Sequence, residues 1–341
     1  MEFKHLKRTV LTAEQANTFY TKAKSGNQAA LQMLVTEAQQ GDVRAQVNLG
    51  TLYDWGQGVP QDYGQAARWY RKAANQGFAQ AQINLGNFYY SGQGVRQNYG
   101  QAAQWLRKAA KQGYAQAQSN LGFLYDKGQG VSQNDGQAEQ WYRKAADQGY
   151  AVAQFNLGVF YERGRGVSQD YGQAAQWYRK AADQGHTVAQ FNLGVFYERG
   201  QGVSQDYGQA AQWYRRAADR GHAKAQFNLG SLYHRGQGVS KDYGQAAQWY
   251  RKAVDQGHAV AQLNLGILYD RGQGVLQNDV IAYALFNLAA AQDTSGDGPA
   301  SQGRSRLVER MTKQAIEVGQ SLSRRMSVPG NLLKALDAYG Q

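Results

Sequence analysis

Apolar residues fall at helical spacing along most of the chain. Ala81, Leu85, Phe88 and Tyr89 lie at i, i+4, i+7 and i+8, one face of an α-helix. Gly86 sits beside that face, where a missing side chain allows close backbone approach. Gly92-Gln93-Gly94-Val95 ends this first helix, because glycine takes the positive φ of a helix C-terminus. A second stripe holds Ala174, Trp177, Tyr178, Ala181 and Ala182, and Gly185 closes it. Asp170 opens that helix with Gln173 three residues on, a capping-box variant in which the carboxylate takes an orphan N–H and the Gln side chain reaches back. The pattern therefore predicts pairs of helices, here termed helix A and helix B.

The pair repeats. Asn-Leu-Gly recurs every 36 residues, at Asn48, Asn84, Asn120, Asn156, Asn192, Asn228 and Asn264. Gly-x-Gly-Val and the tryptophans Trp69, Trp105, Trp141, Trp177, Trp213 and Trp249 keep the same interval. Residues 151–186 and 187–222 differ at only four of 36 positions, which argues against one unique active site within them. One helical hairpin cannot bury its own apolar face, but stacked neighbours can. The expected fold is all-α, a right-handed α-solenoid of antiparallel helix pairs with helical caps. Its boundaries read as a degenerate N-terminal cap over 1–41, repeats at 42–77, 78–113, 114–149, 150–185, 186–221, 222–257 and 258–292, and capping helices over 293–341.

The recurring A-x-A-Q-x-N-L-G…G-x-G-V…W-Y-R-K-A-A-x-Q-G pattern over 42–257 resembles the Sel-one-like repeat (SLR) family, a relative of the tetratricopeptide repeat. The resemblance covers about three quarters of the chain. It implies a protein-interaction scaffold, often bacterial, acting as adaptor, regulator, virulence factor or immunity protein. Some relatives carry paired cysteines and a β-lactamase-like activity. This chain has 0 Cys, which sets it apart from that branch and also removes disulfides and thiolate chemistry.

Both ends depart from the pattern. Residues 13–24 and 28–39 form a degenerate hairpin with Met33 where helix B would carry Trp. In the last repeat Asp279 replaces Tyr and Leu285 replaces Trp. A polar joint at Asp293–Gly303 precedes helices expected at Arg304–Met311 and Thr312–Arg325, with Thr312 as an N-cap. Pro329-Gly330 breaks the chain before a short helix over Asn331–Tyr339.

Angular position on helix A, at about 100° per residue, separates the core arc from the face turned away. That outer face carries Gln116, Asn120, Phe123 and Lys127 in one repeat and Val152, Asn156, Val159 and Arg163 in the next. The following repeats place Val188, Asn192, Val195 and Arg199, then Lys224, Asn228, Ser231 and Arg235, then Val260, Asn264, Ile267 and Arg271. If helix A lines a concave groove, an Asn ladder and an Arg rail flank variable positions there. Asn amides clamp peptide backbone, aliphatic positions take side chains and Arg reads carboxylates. The competing structural reading has Asn satisfying a loop carbonyl and Arg pairing with Glu162, Glu198 or Asp270.

Charge and composition change this picture only at the margin. The net charge of +12 includes six helix-B pairs, Arg71-Lys72, Arg107-Lys108, Arg143-Lys144, Arg179-Lys180, Arg215-Arg216 and Arg251-Lys252. Such spacing could track phosphates, but i,i+4 pairing of Arg143, Arg179, Arg215 and Arg251 with Asp147, Asp183, Asp219 and Asp255 would neutralise part of it. His186, His222 and His258 recur at the start of helix A, too far apart for one metal ion, so packing and hydrogen bonding are their expected roles. Gly-x-Gly-Val follows a helix and lacks a P-loop Lys, so it is no phosphate loop. The reading is a non-catalytic scaffold without cofactor or metal, whose partner is a protein with an acidic surface or extended segment; the family resemblance implies a role in bacterial immunity or regulation. The alternative is a cysteine-free hydrolase of the same family or a glycan or cell-wall binder; nucleic acid is the least favoured partner. Met1–Leu11 lacks a signal-peptide stretch, so the cytoplasm is expected, or the periplasm or exterior if a leader has been removed.

Overall fold

The computed structural model describes residues 12–292, 298–328 and 330–340. The start Met1–Leu11, residues 293–297 of the polar joint and Pro329 lie outside the described residues. Among the described residues all regular structure is helical, and the fold is an α-solenoid of paired helices. No described helix is long and apolar enough to cross a membrane.

The chain divides into two compact units, Met1–Gln169 and Asp170–Gln341. The N-terminal unit begins with α1 (Ala13–Lys24) and α2 (Gln28–Gln39). Its A and B helices follow in turn as α3 (Val43–Trp55), α4 (Tyr63–Asn75), α5 (Ala79–Ser91), α6 (Tyr99–Lys111), α7 (Ala115–Lys127), α8 (Asp135–Asp147) and α9 (Ala151–Arg163). The C-terminal unit starts on a helix B, α10 (Tyr171–Asp183), and continues through α11 (Thr187–Arg199), α12 (Tyr207–Asp219), α13 (Ala223–Arg235), α14 (Tyr243–Asp255), α15 (Ala259–Arg271) and α16 (Asp279–Ala290). It closes with α17 (Pro299–Val308), α18 (Lys313–Met326) and α19 (Leu332–Gly340). Within each unit every helix up to α16 packs on the next, as α5 does on α6 and α13 on α14. At the end, α17 and α18 both pack on α16, and α19 folds back onto α18 and α14.

Local chemistry sets the ends of these helices. Each helix B is capped by Asp or Asn, as where Asp170 Oδ1 accepts the Gln173 N–H at 2.9 Å. Gln173 does not return the bond that its spacing predicts, and among the described helices the reciprocal box forms only at Thr12 and Gln15 of α1. Helix A ends on a left-handed glycine, for example Gly200 at φ +67°. Two residues on, Gly202 at φ +64° lies against the start of α10, where a Cβ would run into the Tyr171 carbonyl oxygen. That glycine serves both a conformation and a close approach.

The core lies between helices A and B. Tyr70, Tyr142, Tyr178, Tyr214 and Tyr250 of helix B are at most 1% exposed. Tyr70 meets Phe88 edge to face at 5.6 Å and Tyr178 meets Phe196 in the same way at 5.4 Å, contacts worth about 0.5–1.5 kcal/mol each beyond burial. Helix A accommodates these rings with glycine: a Cβ on Gly194 would stand 2.6 Å from the Tyr214 ring. The helix-A tyrosines were expected in this core, yet Tyr89 is only half-buried, because its hydroxyl accepts a hydrogen bond from Arg71 at 2.9 Å. At the C-terminus α17 begins at Pro299, five residues before the expected Arg304, since proline at the first helical position needs no hydrogen-bonded N–H.

Candidate partner-binding face

The outer face of helix A grades from half-buried to exposed. In the N-terminal unit Asn120, Phe123, Asn156 and Val159 are half-buried, while Lys127 and Arg163 are exposed. In the C-terminal unit Asn192, Val195, Asn228, Ser231, Asn264 and Ile267 are half-buried, and Arg199, Arg235 and Arg271 are exposed. Each set lies along consecutive helix-A segments within its own unit.

The Asn amides have internal work. Asn264 Nδ2 donates to the Tyr250 hydroxyl at 3.3 Å, and Asn84 and Asn228 bond Tyr70 and Tyr214 in the same way. In these repeats the structural partner is the helix-B phenol 14 residues earlier rather than a loop carbonyl, whereas Asn48 donates to the Ala16 carbonyl of α1 at 3.1 Å and Asn120 to Asn87 at 3.0 Å. Burial pushes the Tyr70, Tyr142 and Tyr214 phenols well above the ordinary tyrosine range, so these hydroxyls stay protonated as donors. Acidic side chains of helix A accept from them: Glu198 Oε2 takes the Tyr214 hydroxyl at 2.5 Å and Asp54 Oδ2 the Tyr70 hydroxyl at 3.3 Å.

Glu198 and Asp270 were expected to pair with the Arg rail. Glu198 instead accepts from Tyr214, and Asp270 pairs with Arg310 of the C-terminal segment at 2.5 Å. Lys127 pairs with Asp126 at 3.0 Å. Arg163, Arg199, Arg235 and Arg271 are exposed and have no hydrogen bond or ion pair among the described residues.

The helix-B cations behave oppositely. Arg71, Arg107 and Arg143 donate to the hydroxyls of Tyr89, Tyr125 and Tyr161 on the following helix A at 2.9, 3.1 and 2.6 Å, and Arg179, Arg215 and Arg251 do the same to Tyr197, Tyr233 and Tyr269. Their neighbours lie over tryptophan rings, with Lys108 on Trp105 and Lys180 on Trp177, both at 3.9 Å. The expected i,i+4 Arg–Asp pairs do not form among the described residues; the guanidinium turns to the next helix instead, where a phenol is within reach.

His186, His222 and His258 are the N-caps of α11, α13 and α15, each Nδ1 accepting a backbone N–H at 3.2 to 3.3 Å. Phe191 stacks on His222 at 4.6 Å and Phe227 on His258 at 4.7 Å. Burial lowers the proton affinity of all three imidazoles below the ordinary value.

Two side-chain systems escaped the sequence reading. The Gln of the A-x-A-Q segment is buried, and Gln82 Nε2 donates to Ala74 O at 3.2 Å while its Oε1 accepts from Gln112 at 2.9 Å. Gln46 and Gln226 accept from Gln76 and Gln256 in the same manner. A polar residue repeated every 36 positions inside an apolar stripe was the available signal. The second system is a pair of ion triads: Arg165 with Asp126 and Asp135, and Arg310 with Asp270 and Asp279. The two aspartates of each triad lie 144 residues, four repeats, from their counterparts, so Arg310 supplies from outside the repeats what Arg165 supplies from within them.

The family model of the Sel1 repeat matches residues 43–78, 79–114, 115–150, 151–186, 187–222, 223–258 and 259–294, each opening on the first residue of a helix A. The chain belongs to the Sel1 repeat family. Among solved structures it is similar to a Sel1 repeat protein from Oxalobacter formigenes, with 35% identity, a TM-score of 0.67 and 86% of each chain covered. It is also similar to c5321, a protective antigen present in uropathogenic Escherichia coli strains and displaying an SLR fold, at 30% identity and a TM-score of 0.46 over 96% of this chain and 87% of that one. The immunity protein Pa5087 from Pseudomonas aeruginosa matches at 20% identity and a TM-score of 0.36, covering 68% of this chain and 87% of its own. No curated protein matches. The Sel1 repeats account for the Asn-Leu-Gly and Gly-x-Gly-Val signatures, whereas the free arginines and the varied residues beside them are features of this chain's outer face.

Proposed function

We propose that this Sel1 repeat protein is a non-catalytic scaffold that binds a partner protein along the outer face of its A helices. One observation carries the reading: the helix-B cations are bound internally, while in the C-terminal unit Arg199, Arg235 and Arg271 are left exposed without a partner beside half-buried Val195, Ser231 and Ile267, as Arg163 is beside Val159 within the N-terminal unit. Apolar positions next to unpaired guanidinium groups suit a protein segment that carries both aliphatic and acidic side chains. The Asn ladder contributes the pre-set floor of this face more than its specificity, since several of its amides hold phenols. An immunity or regulatory role in a bacterium is the finer version and rests on the family alone.

The test takes a partner identified by co-purification and compares its capture by the native chain and by Val195→Glu/Ile267→Glu and Arg199→Glu/Arg235→Glu/Arg271→Glu variants. Both sets are expected to lose about tenfold or more in affinity with an unchanged helical circular-dichroism spectrum. Undiminished capture by folded variants would overturn the assignment of this face.

A further inference from the structure

The buried phenols of helix B occupy a fixed environment. The Tyr70 hydroxyl lies 3.4 Å from Thr51 Oγ1 and 3.3 Å from Asp54 Oδ2 and bonds the Asn84 side chain. Tyr250 bonds Ser231 and Asn264, and Tyr214 bonds Glu198 and Asn228. The contacts come from three recurring positions, 19 and 16 residues before the tyrosine and 14 after it. Two Sel1 repeats depart from the rule: α16 keeps a ring without a hydroxyl, Phe286, and α6 carries Leu106, with no ring at all, where the other five carry Tyr. The three positions surrounding Leu106 are then Asn87, Tyr90 and Asn120.

A cavity of about 300 Å³ opens at that place, lined by Asn87, Tyr90, Leu106, Asn120, Phe123 and Leu124. Leu106 and Leu124, each 1% exposed, form its floor. Tyr90 and Phe123 form a wall, their rings edge to face at 6.0 Å. Deprived of a phenol, Asn120 turns its Nδ2 to Asn87 Oδ1 at 3.0 Å. No charged side chain lines the cavity.

We propose that this cavity receives the phenol ring of a tyrosine presented by the partner protein. The ring rests on Leu106 and Leu124 against Phe123, where the sibling repeats place their own ring. Its hydroxyl donates to Asn87 Oδ1 and accepts from Asn120 Nδ2, replacing one Asn–Asn bond with two. A phenylalanine would bury the same Asn pair without matching it, and a charged group would meet no counter-charge. The proposal rests on the reading that helix-A faces bind a protein, and it places one anchor on the helix-A face of the N-terminal unit.

p-Cresol titrated into the full chain, followed by ¹H–¹⁵N NMR, tests the cavity without the partner. Saturable shifts of the Asn87 and Asn120 side-chain amides are expected, with toluene weaker by several-fold. Leu106→Tyr fills the cavity from within and is expected to abolish binding while raising Tm; Asn120→Leu keeps the floor and is expected to reduce p-cresol binding to that of toluene. Absence of saturable shifts, or p-cresol binding by either variant at native strength, overturns the proposal. Partner capture separates the two readings. Loss of capture by the Val195→Glu/Ile267→Glu variant together with loss by Leu106→Tyr supports both, whereas undiminished capture by Leu106→Tyr alone overturns the tyrosine anchor and leaves the face standing.

Discussion

Gln190 Oε1 is buried without a hydrogen-bond partner, and the cause is one substitution 30 residues later. In sibling repeats a helix-B Gln donates at once to the buried Gln and to a glycine carbonyl, as Gln112 does to Gln82 Oε1 at 2.9 Å and Gly77 O at 3.0 Å. Arg220 stands at that position in its repeat and bonds the Gly185 carbonyl, leaving the amide oxygen of Gln190 unmatched. Arg220→Gln is therefore expected to stabilise the chain by about 0.5–1.5 kcal/mol, read as a higher urea midpoint at unchanged m-value. The imidazole N-caps predict a pH effect. His186, His222 and His258 have proton affinities lowered by burial, and a protonated Nδ1 cannot accept the backbone N–H it now caps. A folded pKa below the unfolded value of 6.5 means that the unfolded chain binds more protons, so this stability is present above pH 6.5 and is lost as pH falls through it. Tm is expected to drop between pH 7.5 and 5.5, and His→Asp at the three caps, the residue type that Asp42 already provides for α3, is expected to flatten that drop.

At the scale of elements, helical periodicity made the paired helices legible, and the bounds 13–24 and 28–39 coincide with α1 and α2. Caps and left-handed glycines act within a few residues, so they can be read locally. The expected Arg–Asp pairs fail for the opposite reason: an i,i+4 rule sees one helix, whereas Arg71 and Arg107 reach Tyr89 and Tyr125 of the next helix at 2.9 and 3.1 Å. The end of the molecule follows the same logic. α19 inserts Leu332, Ala335 and Leu336 into a core with Val254, Leu322 and Met326, and its Asp337 bonds Arg251. Ending the chain after Ser327 exposes that core, since a repeat array needs a covered last face. Faster amide exchange in α14, α16 and α18 is expected, with protection in α3–α8 unchanged, because repeat stability is mainly a nearest-neighbour quantity.

For the whole molecule, two of the cation sets behind the net charge of +12 behave differently. The guanidinium groups of Arg71, Arg107, Arg143, Arg179, Arg215 and Arg251 hold phenols and their neighbours lie over indoles, while Arg163, Arg199, Arg235 and Arg271 of helix A point to solvent unpaired. Of these two sets, the second is the one free to steer an acidic partner. Its association rate is expected to fall several-fold between 50 and 300 mM salt, and Arg199→Gln/Arg235→Gln/Arg271→Gln is expected to flatten that dependence. A native salt slope in the variant would mean that other charges do the steering.

The sequence alone determined the helix pair, its 36-residue period and the residues turned outward from helix A, because period and angular position are properties of one helix at a time. Tertiary structure decided which polar groups are already taken. Asn264 on a phenol, Gln82 between two helices and Arg310 on Asp270 and Asp279 are pairings between segments 8 to 40 residues apart. The cavity over Leu106 belongs with them, for a missing phenol becomes a binding place only when the groups that would have held it stand around the gap.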